Sequence, residues 1–427
     1  MSYGREAAQY YDRFYQKWFE VPQFVCDLMN TAAFRRLWWV RQMGFVGYLL
    51  DSRVSHSRAE HSRGTWYMLT RVIEQLQLTG GLSDISEVSL RSIQAAALFH
   101  DLGHWPFSHS LEAVRGLIDH EDNGTIILLE DPQIGAILRR WGLSPRRIAE
   151  LIVPPEGGYQ QQEDMLLHSL LSADTLGFDA DRMEYLGRDA WLCGRTPEEW
   201  APIEKLLSSM RIHEGVYEME RGIVITPKGI KPLSDALLLR GKLRGVSHSW
   251  QIRSAEAMTV RATELVRGDR ADDSPLSNSA LRRLGDNELL DQLASSGVSE
   301  ARDLANGIRE GRLYRPLIEW GPEDAGYHKM VNLSAEGVRD VARILPEVWG
   351  VAAHKVLVDV PVRLSKGKID LLVRYDDGSL TPWSEVTEWT EEHKDPRKVR
   401  VLVDGDLEEA LSPERASSSL MSVLQGR

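Results

Sequence analysis

Cysteine is nearly absent. The 427 residues contain two, Cys26 and Cys193. That is too few for a disulfide framework or a thiolate zinc site, and a reducing, cytoplasmic setting is expected. Long apolar runs are missing too. No stretch approaches the roughly 18 consecutive apolar residues of a membrane span. The opening residues, MSYGREAAQYYDRFYQ, show no basic-then-apolar leader pattern. No membrane partner is expected. Positive charge is in deficit, with 51 Lys and Arg against 63 Asp and Glu and a formal net charge of −12. Neutralising a long phosphate backbone needs the opposite balance, so nucleic acid is not an expected partner. A local basic pocket for one nucleotide remains compatible with that charge. The chain is 42% hydrophobic and 27% charged, the balance of a globular protein with a core of ample size. It also carries 12 His and 13 Trp, which composition does not explain.

The hydrophobic period is helical over the first two thirds. Residues 60–78 place Trp66, Leu69, Val72, Ile73 and Leu76 at spacings of three and four, and residues 87–100 form a second helix with a buried, Ala- and Leu-rich end. A third helix is predicted after Pro106, with Ser108 as its cap. Shorter helices are predicted over 125–130, 134–141 and 146–152. Residues 163–193 and 235–267 read as further long helices. The polar run GDRADDSPLSNS starts a hinge at 268, followed by short charged helical pieces. From about 353 the period changes to two, with strand candidates in HKVLVDVPVRL, KIDLLVRYDDGSL and VRVLVD. The predicted fold is mainly α: a helical domain over 1–267, a hinge and small helical segment over 268–335, and an α+β lobe over 336–427.

Ionisable residues gather at four places. These are Arg58-Ala59-Glu60-His61; His100-Asp101 with His104, His109 and Glu112; His120-Glu121; and Asp179-Ala180-Asp181-Arg182 with Tyr185 and Asp189. His100-Asp101 follows Ala95–Phe99, so the pair is expected to be buried. A buried carboxylate must be paired or must bind a cation. His61 and Asp181 are the best candidates to complete a set of two imidazoles and two carboxylates around one divalent ion. Such mixed donors suit Mn, Fe, Co, Ni or Zn better than Ca. For an isolated pair, a bracing His–Asp hydrogen bond is the commoner outcome.

The ordered motifs resemble the HD-domain phosphohydrolases, and within them the deoxynucleoside triphosphate triphosphohydrolases. The pattern His, His-Asp, distant Asp falls on His61, His100-Asp101 and Asp181. Its flanks are FRRLWWVRQMG, SHSRAEHSRG, FHDLGHWPFSHSLE and FDADRMEYLGRD. Weaker similarity runs through GDNELLDQL and REGRLYRPL into the α+β lobe. The resemblance implies an HD-domain helical catalytic core. It also implies hydrolysis of a deoxynucleoside triphosphate to deoxynucleoside and inorganic triphosphate, with one divalent metal per site (Mn, Mg, Fe, Co, Ni or Zn) and additional Mg carried by the triphosphate.

It further implies roles for individual residues. His120, oriented by Glu112, is the general acid for the leaving 5′ oxygen. His104 and His109 hydrogen-bond the phosphate oxygens or the attacking water. Arg58 and Arg182 match phosphate contacts, joined by Tyr185, with Arg240 near a further phosphate position. Gln42 and Asp189 match positions that hold the sugar 3′ hydroxyl. A homo-oligomer, dimer or tetramer, is expected. Asn30, Arg35 and Trp38 depart from the family's nucleotide-activator positions, and Ser247 replaces an aromatic beside the base. Two other readings are weighed: a different HD-type enzyme (nucleotidase, pyrophosphohydrolase or phosphodiesterase) and a non-catalytic nucleotide sensor. His56 reads as a solvated loop residue, Trp38, Trp39 and Trp66 as core or interface packing, and Asp189 alternatively as a surface partner of Arg188 or Arg195.

Overall fold

A computed structural model describes residues 8–172, 178–217, 219–268, 273–361, 370–387 and 397–425. The outer ends of two expected strands (362–364 and 368–369) and residues 269–272 of the expected hinge fall outside them. The fold is mainly α, with three small sheets among the described residues. No helix among the described residues is long and apolar enough to cross a membrane.

The central element is the helix Arg58–Leu78. Ser57 caps it: its side chain accepts from the Glu60 N–H, and Glu60 returns a bond to the Ser57 N–H. That reciprocal box satisfies two N–H groups that would otherwise lack partners at the helix start. Ala59, Trp66, Leu69, Val72 and Leu76 are buried against the helix Glu87–Phe99 and the helix Ala180–Leu192. Gly64 makes room for a side chain of the neighbouring helix: a Cβ there would lie 1.9 Å from Glu184 Oε1, in the space the Glu184 carboxylate and Arg188 guanidinium occupy.

An N-terminal hairpin that periodicity did not suggest covers one side of this pair. β1 (Ala8–Asp12) runs antiparallel to β2 (Lys17–Val21). Asp12 ends β1 fully buried and accepts from Arg188 at 3.0 and 3.2 Å, with Arg63 at 3.5 Å. Burial opposes ionisation of Asp12, but Arg188 outweighs it and holds the carboxyl below its usual range.

The expected helix over 235–267 is two helices, Ile230–Ser247 and Trp250–Arg267, broken at His248 and Ser249. The apolar pattern continues across the break, so periodicity alone reads one element. Downstream, the sheets do not follow the sequence segments. β3 (Met210–Val216) and β4 (Met219–Ile225) pair with β7 (Leu372–Arg374) and β8 (Leu380–Pro382) in the order β3-β4-β7-β8. β5 (Arg315–Trp320), from the segment read as a hinge, joins β9 (Val399–Val403) and β6 (Val356–Asp359) in the order β5-β9-β6. The C-terminal chain is therefore stitched into the helical body by β4–β7 pairing. It is also held by Arg253, which reaches Asp359 of β6.

Candidate active site

The four expected metal ligands converge. His61 lies in the first turn of the 58–78 helix, His100 caps the 87–99 helix with Asp101 next to it, and Asp181 lies in the first turn of the 180–192 helix. His61 Nε2 and His100 Nε2 are 3.2 Å apart, and Asp181 Oδ1 lies 2.9 and 3.3 Å from them. Asp101 adds Oδ2 at 3.5 Å from His61 Nε2 and Oδ1 at 3.4 Å from His100 Nε2. Neighbouring ligands about 2.1 Å from one ion are separated by about 3 Å at right angles. His61, His100 and Asp101 match that closely enough to form one mutually close group, and Asp181 joins them against the two imidazoles. Asp181 Oδ1 is shielded from solvent and accepts no aligned hydrogen bond, despite two imidazole nitrogens against it. Two imidazoles and two carboxylates with an unsatisfied buried oxygen fit a divalent cation.

The surroundings orient these donors. His61 Nδ1 is 2.6 Å from Glu184 Oε2, and Glu184 Oε1 accepts from Arg188 Nε at 2.5 Å. This fixes which nitrogen of His61 faces the cluster. Burial disfavours charge on His61, but Asp181 and Glu184 outweigh it and raise its pKa to about 10. Arg58 donates to Asp101 Oδ2 at 2.7 Å and to Ser108 Oγ at 3.0 Å. Burial works against ionised Asp101, yet Arg58 and the histidines keep its pKa well below the carboxylate range. Glu184 was not among the sequence candidates. Its signal was present, since it falls three residues after Asp181 on the same helix.

The expected helix after Pro106 is a strained turn followed by a 3-10 helix, His109–Ala113. Phe107 and Ser108 have φ of 58° and 59°, a region that disfavours side chains. Ser108 does not cap; its hydroxyl donates to the Arg41 carbonyl at 2.7 Å and accepts from Arg58. Buried Asp286 holds the turn. Its Oδ1 accepts from the Phe107 N–H at 2.7 Å and its Oδ2 from the Arg41 N–H at 3.0 Å. Arg36 reinforces the adjacent loop by donating to the carbonyls of Leu102 and His104. Sequence reasoning assigned neither Asp286 nor Arg36 a role, because both act through backbone groups far away in the chain.

The turn sets out three imidazoles around one carboxylate. Glu112 Oε1 lies 2.7 Å from His120 Nδ1 and 3.1 Å from His109 Nδ1. The His104 ring stacks on that of His120 with centroids 4.0 Å apart. Burial disfavours charge on His120, but Glu112 overcomes it and raises the His120 pKa. Burial and the nearby Arg58 push His104 well below the usual histidine range.

The first cluster and the three imidazoles of the second line one cavity of about 380 Å³, and Glu112 is not among its described lining residues; the volume falls within the roughly 300–1,000 Å³ of small-molecule sites. Gln42, Arg58, Tyr185, Asp189 and Ser247 also line it. His56 is a correction. It is 1% exposed, not solvated, and its Nε2 lies 2.7 Å from Asp189 Oδ1. Asp189 is thus buried and bound to His56, while Arg188 pairs with Glu184 and Asp12 and Arg195 lies near Glu199. Gln42 Oε1 is buried without a partner. Arg182 and Arg240 are not among the described lining residues, and Arg182 sits 3.3 Å from Asp179 on its own helix. Of the tryptophans read as packing, Trp66 is buried, but Trp38 and Trp39 are 41% and 70% exposed.

Comparison with known proteins finds HD-domain relatives. Residues 58–168 match the HD domain family and residues 203–406 match the HD associated region. The chain is 34% identical over 246 residues to the uncharacterised protein YwfO of Bacillus subtilis, covering 56% of this chain and 51% of that one. It is 26% identical over 319 residues to the deoxynucleoside triphosphate triphosphohydrolase SAMHD1 homolog of Dictyostelium discoideum, covering 70% of this chain and 58% of that one. To human deoxynucleoside triphosphate triphosphohydrolase SAMHD1 it is 24% identical over 391 residues, covering 83% and 60%. The matched region spans 46–58% of the length of the first relatives compared, about half.

Proposed function

Because this chain belongs to the HD-domain family, we propose that it hydrolyses deoxynucleoside triphosphates to deoxynucleoside and inorganic triphosphate. A water oxygen bonds to the α-phosphorus, the bond to the sugar 5′ oxygen breaks, and that oxygen takes a proton. The supporting observation is the shared cavity, which the four-residue metal donor set lines together with His120, itself held by Glu112. A divalent ion held by His61, His100, Asp101 and Asp181 would activate water and offset phosphate charge when bound.

The chain's own residues do the rest. Glu112 engages His120 Nδ1 and leaves Nε2 to protonate the leaving oxygen. His104 and His109 offer ring nitrogens to the phosphate oxygens or the water. Arg58 neutralises charge beside Asp101. Gln42, with its unsatisfied buried oxygen, and Asp189, braced by His56, receive the sugar 3′ hydroxyl, with Tyr185 beside them. Arg182, 3.3 Å from Asp179, is not among the described lining residues and serves a phosphate only by turning toward the cavity.

That last point favours a second reading. Arg58 is the one arginine among the described lining residues, and Asp101, Asp181, Asp189, Glu121 and Glu256 also line the cavity. Such a lining suits a nucleotide with fewer phosphates, the substrate of an HD-type nucleotidase. Incubation with each dNTP, each dNMP and Mn²⁺ or Mg²⁺, followed by product separation, tests both. Nucleoside plus triphosphate is expected. Nucleoside diphosphate plus phosphate moves the cut away from the α-phosphate; turnover of monophosphates alone selects the nucleotidase. No turnover of any nucleotide leaves a sensor.

We further propose a homo-oligomer, dimer or tetramer, which the exposed Trp38 and Trp39 support.

A further inference from the structure

Outside the set assigned to the first ion, a second group of donors gathers where His104, His109 and His120 line the same cavity. One ligand atom each from His104, His109, Glu112 and His120 lies within 4.8 Å of all the others. Tetrahedral ligands about 2.1 Å from one ion are about 3.4 Å apart, so side-chain shifts of about an ångström bring all four onto a common centre. We propose that these four residues form a second cation site, suited to a borderline divalent ion of the Zn²⁺, Co²⁺ or Ni²⁺ class.

Three features of the cluster point there. Its donors are three imidazoles and one carboxylate, a nitrogen-rich set that Mg²⁺ and Ca²⁺ avoid and Zn²⁺ favours. Glu112 Oε1 is shared by Nδ1 of His109 and Nδ1 of His120, so two imidazoles already aim at one carboxylate oxygen. An ion there replaces hydrogen bonds with coordination and keeps the same neighbours. His104 supplies the independent observation. It is 1% exposed, yet neither ring nitrogen has a hydrogen-bond partner. Asp101 Oδ1 lies 3.1 Å from its Nε2 but is not aligned to accept. An unsatisfied buried nitrogen is costly, and coordination removes that cost for one of the two.

The site's existence is independent of the reaction. Its consequence rests on the reading of His120 as the acid. A metal-ligating imidazole nitrogen carries no proton, and binding sends any extra imidazolium proton to solvent. The second ion therefore silences the proton donor, so the protein is activated by one cation and inhibited by another in the same cavity.

The full chain, stripped with a chelator, is equilibrated with Zn²⁺, gel-filtered and its metal counted by mass spectrometry. Co²⁺ loading, followed by visible absorption, gives a second readout. Wild type should hold two equivalents. The double variant His109→Ala with Glu112→Gln should hold one, and His61→Ala should hold the other. His109 has a side chain 62% exposed, so His109→Ala alone keeps the fold and serves if the double variant does not. One equivalent in wild type at saturating Zn²⁺, or two in a folded His109/Glu112 variant, overturns the site. Two equivalents without turnover of any nucleotide would leave the site standing and remove the catalytic reading. Turnover that Zn²⁺ does not inhibit, with two equivalents bound, would remove only the silencing.

Discussion

Replacing Asp286 by alanine should unfasten the catalytic turn from a distance. The side chain touches no proposed ligand. It accepts two buried N–H groups, from Phe107 at 2.7 Å and Arg41 at 3.0 Å. Hydrogen bonds to a charged acceptor contribute about 1.5–3 kcal/mol each, so Asp286→Ala should cost about 3–6 kcal/mol. Opposing this is the strain at Phe107 and Ser108, about 1–3 kcal/mol each, which the turn sheds if it relaxes. The two magnitudes are similar. Asp286→Ala should therefore lose order locally around 105–113 while much of the global stability remains. Hydrogen exchange should show Phe107 and Arg41 amides losing protection, and turnover should fall because Ser108 no longer holds Arg58.

The pH dependence adds a second arm. Burial pushes the Asp286 pKa up to about 6 from 3.8. A carboxyl whose folded pKa is raised favours the folded state most below its unfolded pKa. That advantage is lost as pH rises through the folded pKa. Between pH 4 and 6 the chain should lose about 3 kcal/mol of stability from this group, 2.2 pKa steps at about 1.4 kcal/mol each. In Asp286→Asn that slope should vanish, as read by urea melts across the range. Unchanged protection at Phe107 together with full activity in Asp286→Ala would show that the turn holds itself.

Other perturbations act closer to the centre. Glu184→Gln should weaken metal binding roughly 10–100-fold, measured by competition with a chelator, because it frees the His61 ring; unaltered affinity would remove Glu184 from the site. His120→Ala should leave the first equivalent of metal bound and slow turnover roughly 10²–10⁴-fold; full activity would disqualify it as the acid. His56→Ala removes the partner of Asp189 and should raise KM for the deoxynucleotide more than it lowers kcat. An equal fall in kcat with constant KM would place His56 elsewhere in the mechanism.

What the sequence makes legible follows from range. His61, His100-Asp101 and Asp181 could be read because each sits at a helix end with its motif around it, and their convergence needs only three helix termini to meet. The 58–78 and 87–99 helices have strong apolar periods and appear as expected. The residues that escaped are joined through long loops. His56 lies on a polar stretch that looks solvated, and its burial comes from Asp189, 133 positions away. Asp286 reaches Phe107 from 179 positions downstream. The N-terminal hairpin has too few residues per strand for alternation to show. The break at His248-Ser249 carries no proline or glycine to mark it.

Arg188 ties the first strand of the chain to the metal donors. Asp12 grips Arg188, Arg188 grips Glu184, and Glu184 aims His61. A fragment begun at Arg58, where the recognisable HD segment starts, would keep every metal ligand up to Asp181 if extended far enough. It would still leave Arg188 buried beside Glu184 without its second carboxylate, at the few kcal/mol that a broken buried ion pair costs. Metal affinity is therefore tuned from before the segment that gives the family its name. Removing Asp12, by truncation or proteolysis beyond it, would loosen the aim of His61 from about fifty positions upstream.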